Sequence, residues 1–214
     1  MVRKLYDYRF TIYLVSQLFI LFGALVSPQE LYEILIAQIL FLVNVSAGLL
    51  LLRKKKWLLY SALSLLVMMV TSTVLISAEY LTHPLLNNLQ LAGYFLFYAI
   101  LCYEINFQVW KEKSVNQHTL FGLTSGFISL GFIGFFICMS IEVASPGSFS
   151  LPENGLGVVD NLMYFSFITI MSIGYGDIVP LTGLAQKASL FIGLIGEVYL
   201  VIITAIVVGK YLKD

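Results

Sequence analysis

Residues 169–180 read TIMSIGYGDIVP, and this run lies between two long apolar segments of the chain. Within it, Gly174 and Gly176 flank a tyrosine, although glycine destabilises a helix interior by about 1 kcal/mol relative to alanine. The run therefore predicts non-helical backbone next to segments that are long enough to cross a membrane. Such backbone is tolerated at membrane depth only where it is buried in protein or lines water. A loop that enters the membrane and returns on the same side, a re-entrant loop, meets that condition.

The composition of the chain is that of a membrane protein. Of its 214 residues, 59% are hydrophobic and 11% are charged, whereas soluble domains carry about 25% charged residues. The formal net charge is zero, so no bulk attraction to nucleic acid is expected. Cys102 and Cys138 lie in apolar runs and are expected to pack as small apolar side chains. The sequence has no evident nucleophile–base constellation or metal-ligand cluster, so we do not expect an enzyme.

Six apolar segments are long enough to span a bilayer as helices, because a hydrocarbon core of about 30 Å needs roughly 20 residues. We therefore predict an all-α membrane protein with six transmembrane helices. It is divided into a four-helix domain, residues 1–113, and a second domain, residues 114–214, that contains the re-entrant loop. The six segments cover approximately residues 10–26, 31–52, 57–77, 86–105, 119–144 and 184–209.

The basic residues set the orientation of the predicted helices. With both termini in the cytoplasm, every Lys and Arg except Lys187 falls on the cytoplasmic side, in agreement with the positive-inside rule. We therefore predict a multi-pass protein of the plasma membrane with both termini cytoplasmic. A cleaved signal peptide at the N-terminus is the alternative, but the first apolar run is long for one. The opposite face then has an acidic mouth formed by Glu30, Glu79, Glu142, Glu153, Asp160 and Asp177.

A short helix is predicted directly before the glycine-containing run. The polar stretch from Glu142 to about Gly157 contains several Pro and Gly residues and predicts an exposed loop. Asp160 or Asn161 then suits a helix N-cap, so we expect a helix over residues 162–171. A helix of this length is too short to span the membrane, and it must end at the glycine-containing run inside the bilayer.

The spacing of Gly174 and Gly176 suits a backbone that alternates in conformation. A desolvated cation needs replacement oxygens, and successive carbonyls supply them when alternate residues have positive φ, which glycine reaches without a Cβ penalty. The run SIGYGD, residues 172–177, resembles the selectivity filter of potassium channels, in which four such loops surround the ion. The resemblance implies K+ as the bound ion and no organic cofactor. It implies a filter of Ser172, Ile173, Gly174, Tyr175 and Gly176, in which the first four supply carbonyl oxygens and Ser172 adds its hydroxyl.

Three positions around this run depart from the family pattern. Ser172 replaces the usual threonine, Tyr164 matches a position that is often tryptophan, and Ile168 matches one that is sometimes glutamate. The resemblance implies that Asp177 and Tyr164 support the filter from behind, with Ile168 in place of a second carboxylate. One chain holds one filter strand, whereas a ring of carbonyls needs about four, so we expect a cyclic homotetramer.

The last apolar segment carries the residues that the resemblance places around a cavity and gate. Gly196 matches a hinge glycine of relatives, although tight helix packing together with Gly193 explains it equally well. Glu197 is the acid that lies deepest in a predicted span. It faces either the cavity, as an acidic ring of four copies, or a partner group in a neighbouring helix. Thr204, Ala205 and Val208 follow as a pore-facing stripe near the inner mouth.

The first four segments contain no repeated arginines, so we expect weak voltage dependence, because a transmembrane voltage acts on charges within the membrane. The cluster Arg53, Lys54, Lys55 and Lys56 suits anionic lipid, and ordinary topology determination explains it equally well. Two alternatives remain beside a potassium-selective channel. One is a non-selective monovalent cation channel, and the other is a transporter or accessory subunit that does not conduct.

Overall fold

The computed structural model describes residues 6–25, 37–77, 84–112, 116–152 and 155–211. These described residues form helices and no β-strand, with one antiparallel bridge between Phe149 and Pro180. The predicted all-α class is therefore confirmed for this part of the chain. The helices are α1 (Arg9–Phe22), α2 (Ala37–Leu52), α3 (Lys56–Ser77), α4 (Pro84–Lys111), α5 (Gln117–Ala144), α6 (Val158–Ile170) and α7 (Gly183–Tyr211), and a 3-10 turn (Gly23–Leu25) follows α1.

Three helices of the described residues are long and apolar enough to cross a membrane: Lys56–Leu75 within α3, Gln117–Ala144, and Gly183–Ile206 within α7. With 28 residues, α5 is about 42 Å long, which exceeds a hydrocarbon core of about 30 Å. The helices α1 and α2 are shorter, and α4, although 28 residues long, is not among these three. Residues 26 and 31–36 of the first two predicted segments lie outside the described residues. These helices indicate a membrane protein, and the number of six spans stays a prediction.

The chain divides into two compact units, Met1–Ile128 and Ser129–Asp214, while the predicted domain boundary at residue 114 stays a prediction. In the first unit, buried polar side chains join three helices. The Tyr98 hydroxyl donates to Asn44 Oδ1 at 2.7 Å, and Asn44 Nδ2 donates to Ser16 Oγ at 2.8 Å. These bonds connect α4, α2 and α1, and they offset the cost of burying polar groups among apolar side chains.

In the second unit, α5 and α6 approach closely because glycines of α5 face α6. A Cβ added at Gly134 would lie 2.5 Å from Ser166 Oγ, and one added at Gly131 would overlap the ring of Phe167. Ser166 Oγ donates to the Gly131 carbonyl at 2.8 Å, and the rings of Phe132 and Phe167 meet edge to face with centroids 5.5 Å apart. The short helix before the glycine-containing run is thereby fixed against a helix of membrane length.

The short helix α6 begins earlier than predicted. Its N-cap is Gly157, in an extended conformation with φ −68° and ψ 165°, and no side chain caps the helix. Asp160 lies in the first turn instead, where its negative charge interacts favourably with the helix dipole. Asn161 Nδ2 donates to the Leu156 carbonyl at 3.2 Å. The prediction that one of these two residues is the N-cap was therefore wrong, because the preceding glycine already takes the extended conformation that a cap requires.

Candidate ion-conduction site

The chain leaves α6 in a tight turn that is anchored on one carbonyl group. The amides of Ile173 and Gly174 both donate to the Ile168 carbonyl, at 2.9 and 3.3 Å, and the Ser172 amide donates to the Thr169 carbonyl at 3.0 Å. The last carbonyls of the helix are thus satisfied by the residues that follow it. Residues 171–177, which we call the GYG loop, therefore start in a fixed direction. The sequence pattern concerned only the side chain of Ile168, whereas its carbonyl makes these bonds.

Left-handed backbone recurs at every second residue of the GYG loop. The φ angles of Ser172, Gly174 and Gly176 are 56°, 55° and 80°, and Ser172 is the one non-glycine residue with positive φ among the described residues. The intervening Ile173 and Tyr175 thus have negative φ, as the spacing of the glycines predicted. The positive φ of Ser172 was not predicted, because the left-handed region costs a residue with a Cβ roughly 1–2 kcal/mol. The available signal was its position, two residues before Gly174.

The GYG loop is not covered by the described part of its own chain. All seven of its residues are exposed, and the side chain of Tyr175 is 73% exposed. In the last turn of the preceding helix, Ile168 and Ile170 are buried, with 5% and 1% exposure. The loop therefore starts from buried residues, while its own residues are open to water, ions or further chains.

Asp177, at the end of the GYG loop, is bonded to α6. The Tyr164 hydroxyl donates a hydrogen bond to the Asp177 carboxylate. This bond, and secondly burial, raises the pKa of the Tyr164 phenol, because ionisation would break the bond and place two negative charges side by side. The contact joins the helix before the loop to the residue that ends it, and its contribution to ion binding stays a prediction.

A segment of the outer loop runs alongside the residues that follow the GYG loop. The Ser150 amide donates to the Val179 carbonyl at 2.9 Å, and the Val179 amide donates to Ser150 Oγ at 2.8 Å. The Leu181 amide donates to the Ser148 carbonyl at 2.8 Å. Residues 178–181 are therefore paired with residues 148–151. We call residues 148–151 the outer brace.

Glu142 holds the outer brace in place. It lies in the last turn of α5 and is only 9% exposed. Its Oε1 accepts from the Gly147 amide at 2.6 Å and its Oε2 from the Phe149 amide at 3.2 Å. Phe149 in turn packs edge to face on Phe165 of α6, with centroids 5.2 Å apart. The prediction that Glu142 begins an exposed loop and faces an open acidic mouth was therefore wrong, because its carboxylate binds amides of its own chain. Of the other acids predicted at this mouth, Glu30, Glu79 and Glu153 lie outside the described residues.

Residues 126–213 match a family model whose description is ion channel. We call this part of the chain the ion channel domain, after the description of the family model that it matches. The matched range contains most of α5 and all of α6, the GYG loop and α7. No curated protein and no solved structure matched the chain. The match agrees with the resemblance to potassium channels that the run SIGYGD carries, and it leaves the identity of the conducted ion open.

In the ion channel domain, Gly196 brings α7 against the end of α6. A Cβ added at Gly196 would lie 2.5 Å from Ile170 Cγ1 and 3.0 Å from the Ile170 carbonyl carbon, and it would overlap the carbonyl oxygen. A Cβ added at Gly193 would meet nothing nearer than the Thr169 carbonyl oxygen, at 3.9 Å. Of the two roles that the sequence left open for Gly196, this geometry supports close packing.

The remaining cavity and gate residues lie along α7 of the ion channel domain. Glu197 is exposed, so no helix of the described residues covers it. Thr204 and Ala205 line a shallow groove with Leu200 and Val201, and Thr204 Oγ1 donates to the Leu200 carbonyl at 2.9 Å. The side chain of Val208 lies outside the described residues. Roles of these residues in a cavity or gate stay predictions.

Proposed function

We propose that the chain is one subunit of a potassium-selective channel, which conducts K+ passively through a pore shared by four copies. The observation that carries the proposal is the left-handed backbone at Ser172, Gly174 and Gly176. When residues alternate between left-handed and negative-φ conformations, successive carbonyls turn toward the same side of the strand. A row of such carbonyls replaces the hydration shell of K+. The proposed ligands are the carbonyl oxygens of Ser172, Ile173, Gly174 and Tyr175, together with the Ser172 hydroxyl.

The exposure of the GYG loop supports a homotetramer. One chain contributes one strand of carbonyls, whereas a ring around an ion needs about four. Non-helical backbone at membrane depth must be buried in protein or line water, and the seven exposed loop residues meet this condition once other copies cover their outer side. The apolar face of α7 is also exposed, with Leu190 at 73% and Leu194 at 61%. A closed cyclic assembly covers these surfaces equally in every copy.

The proposed subunit crosses the plasma membrane six times, with both termini in the cytoplasm and with α6 and the GYG loop re-entrant between α5 and α7. The charges of the first four helices support weak voltage dependence. Their basic residues lie in first or last turns, as Arg9, Lys56 and Lys111 do. With no basic charge in the described interiors of these helices, a transmembrane voltage has little charge to move.

Liposomes that contain K+ and are diluted into Na+ buffer test the proposal. K+-selective efflux through the purified protein makes the interior negative, which a voltage-sensitive dye reports. Gly176→Ala and Gly183→Ala form a matched pair, because a Cβ meets no atom within 4 Å at either position, but only Gly176 has positive φ, 80°. We expect Gly176→Ala to abolish the dye signal and Gly183→Ala to retain it.

The two alternatives give different results in the same liposomes. A non-selective cation channel dissipates both gradients without making the interior negative. The replacements at Ile168 and Ser172 are the features of the sequence that favour this alternative. A transporter or accessory subunit that does not conduct leaves the dye signal at the level of empty liposomes. Either result would contradict the proposed function.

A further inference from the structure

The turn between α2 and α3, together with the first residue of α3, supplies four consecutive basic residues, which the structure divides into two groups. The Lys55 amide donates to the Leu52 carbonyl at 2.9 Å, so the chain reverses within a few residues and holds all four at one end of both helices. The exposed group is Arg53, Lys54 and Lys56. The side chain of Lys55 is only 27% exposed, and it has a different environment.

Lys55 belongs to an internal polar network. Its Nζ lies 2.6 Å from Oε2 of Glu104, whose side chain is 3% exposed, and 3.8 Å from the centre of the Phe107 ring. Gln108 Nε2 donates to Glu104 Oε1 at 2.9 Å, and Arg9 Nε donates to Gln108 Oε1 at 2.9 Å. A buried carboxylate needs such a paired cation. The charge of Lys55 is therefore neutralised within the chain.

The exposed bases adjoin a surface whose polarity changes along α3. Trp57 is 71% exposed and Tyr60 is 66% exposed, and these two side chains are followed at helical spacing by the exposed Val67, Val70 and Val74. Trp and Tyr concentrate at the level of lipid headgroups. From Trp57 to Val74 the helix rises about 26 Å, which is close to the thickness of a hydrocarbon core, about 30 Å. Bases, aromatic rings and apolar side chains thus follow one another from the turn between α2 and α3 along α3. The phosphate, the glycerol and the acyl chains of a phospholipid follow one another in the same order.

We propose that Arg53, Lys54 and Lys56, with the adjoining Trp57 and Tyr60, form a binding surface for the headgroup of an anionic phospholipid. Basic side chains at a membrane surface attract anionic lipid, and the apolar stripe of α3 accommodates the acyl chains of the same molecule. Lys55 is excluded from this surface because Glu104 holds it. The proposal depends on the membrane location of α3 and not on the ion that the second unit conducts.

Thermal unfolding of the purified full-length protein in uncharged detergent tests the proposal, with phosphatidylglycerol or phosphatidylcholine added to the micelles. A ligand that binds the folded state raises the unfolding temperature, so phosphatidylglycerol is expected to raise it more than phosphatidylcholine does. The triple variant Arg53→Gln/Lys54→Gln/Lys56→Gln is expected to lose most of this difference, and Lys56→Gln alone part of it. Lys187→Gln, which removes an exposed base from the other unit, is expected to retain all of it.

Lys55→Gln separates the two groups of bases. It is expected to lower the unfolding temperature in both lipids while leaving the difference between the lipids unchanged, and Lys55→Gln/Glu104→Gln is expected to recover part of the loss. An unchanged lipid difference in the triple variant would overturn the proposal. So would an equal rise with inorganic phosphate, which lacks acyl chains. A lipid difference abolished by Lys55→Gln would overturn the exclusion of Lys55.

Discussion

Gly196→Ala tests the contact that brings α7 against the end of α6. The added methyl group would overlap the carbonyl oxygen of Ile170 and lie 3.0 Å from its carbonyl carbon. The obstacle is backbone in the last turn of α6, so it has no alternative rotamer that would make room. Ile170 is followed directly by the GYG loop, and a displacement of its carbonyl is transmitted to the residues that carry the left-handed backbone.

The expected change in the free energy of unfolding for Gly196→Ala follows from two opposing effects. Overpacking a close contact costs about 1–3 kcal/mol, and a contact with backbone places the cost at the upper end. Replacing glycine by alanine inside a helix returns about 1 kcal/mol, so the net loss is about 2 kcal/mol. For a chain of this size that lowers the unfolding temperature by about 4–8 °C. We also expect K+ flux in liposomes to fall, because the anchor of the GYG loop moves.

Gly193→Ala is the matched control on the same helix. Its methyl group would meet only the Thr169 carbonyl oxygen at 3.9 Å, so the gain of about 1 kcal/mol is expected to raise the unfolding temperature slightly. Thermal unfolding in detergent and K+ flux in liposomes measure both variants. If Gly196→Ala unfolds at the wild-type temperature, or if both variants are destabilised equally, the reasoning from close packing is refuted. A change in flux at unchanged stability would favour the hinge instead.

Three further substitutions test other parts of the ion channel domain. Glu142→Gln weakens the bonds to the amides of Gly147 and Phe149, and since a hydrogen bond to a charged group contributes about 1.5–3 kcal/mol, we expect a lower unfolding temperature and less sustained K+ flux; wild-type behaviour in both assays would refute the role of Glu142 in holding the outer brace. Glu197→Gln is expected to leave the unfolding temperature unchanged but to reduce single-channel conductance and block by cytoplasmic polycations, and unchanged conductance and block would exclude an acidic ring. Tyr164→Phe removes the bond to Asp177. Because the folded-state pKa of Tyr164 is raised, the stability advantage of the wild type over this variant is expected to be full below pH about 10 and to decline at higher pH. Denaturation of both proteins measured across this pH range tests the bond. A difference in stability that does not change with pH would show that the bond is absent.

The backbone conformation of the GYG loop was predictable from the sequence only at its glycine positions. Gly174 and Gly176 flank one residue, so their spacing predicted alternating conformations, and both have positive φ. Ser172 has the same conformation, but serine occurs in many environments and gives no such signal. The start of α6 was missed for a similar reason, since Asp160 suits an N-cap and a first turn equally well.

Contacts that depend on how the loops fold and the helices pack were beyond sequence reasoning. The carboxylate of Glu142 binds the amides of Gly147 and Phe149, which become suitable donors only once the outer loop has folded. The sequence also left the role of Gly196 open, because a hinge and a close contact both require a small residue. The distance to Ile170 distinguishes them, and that distance depends on how two helices pack. Local sequence patterns thus predicted the helices and the GYG loop. The contacts that Glu142 and Gly196 make depend on the packing of the folded chain and were not predicted.

The most direct test of the proposed function is the reversal potential of single-channel current in a planar bilayer. With a tenfold K+ gradient across the bilayer, opposed by Na+ so that both sides have equal ionic strength, the account predicts reversal near the K+ equilibrium potential, about 59 mV from zero. Reversal near zero would show that the GYG loop does not distinguish K+ from Na+. Absence of current from protein that is folded and reconstituted would show that the loop does not form a pore.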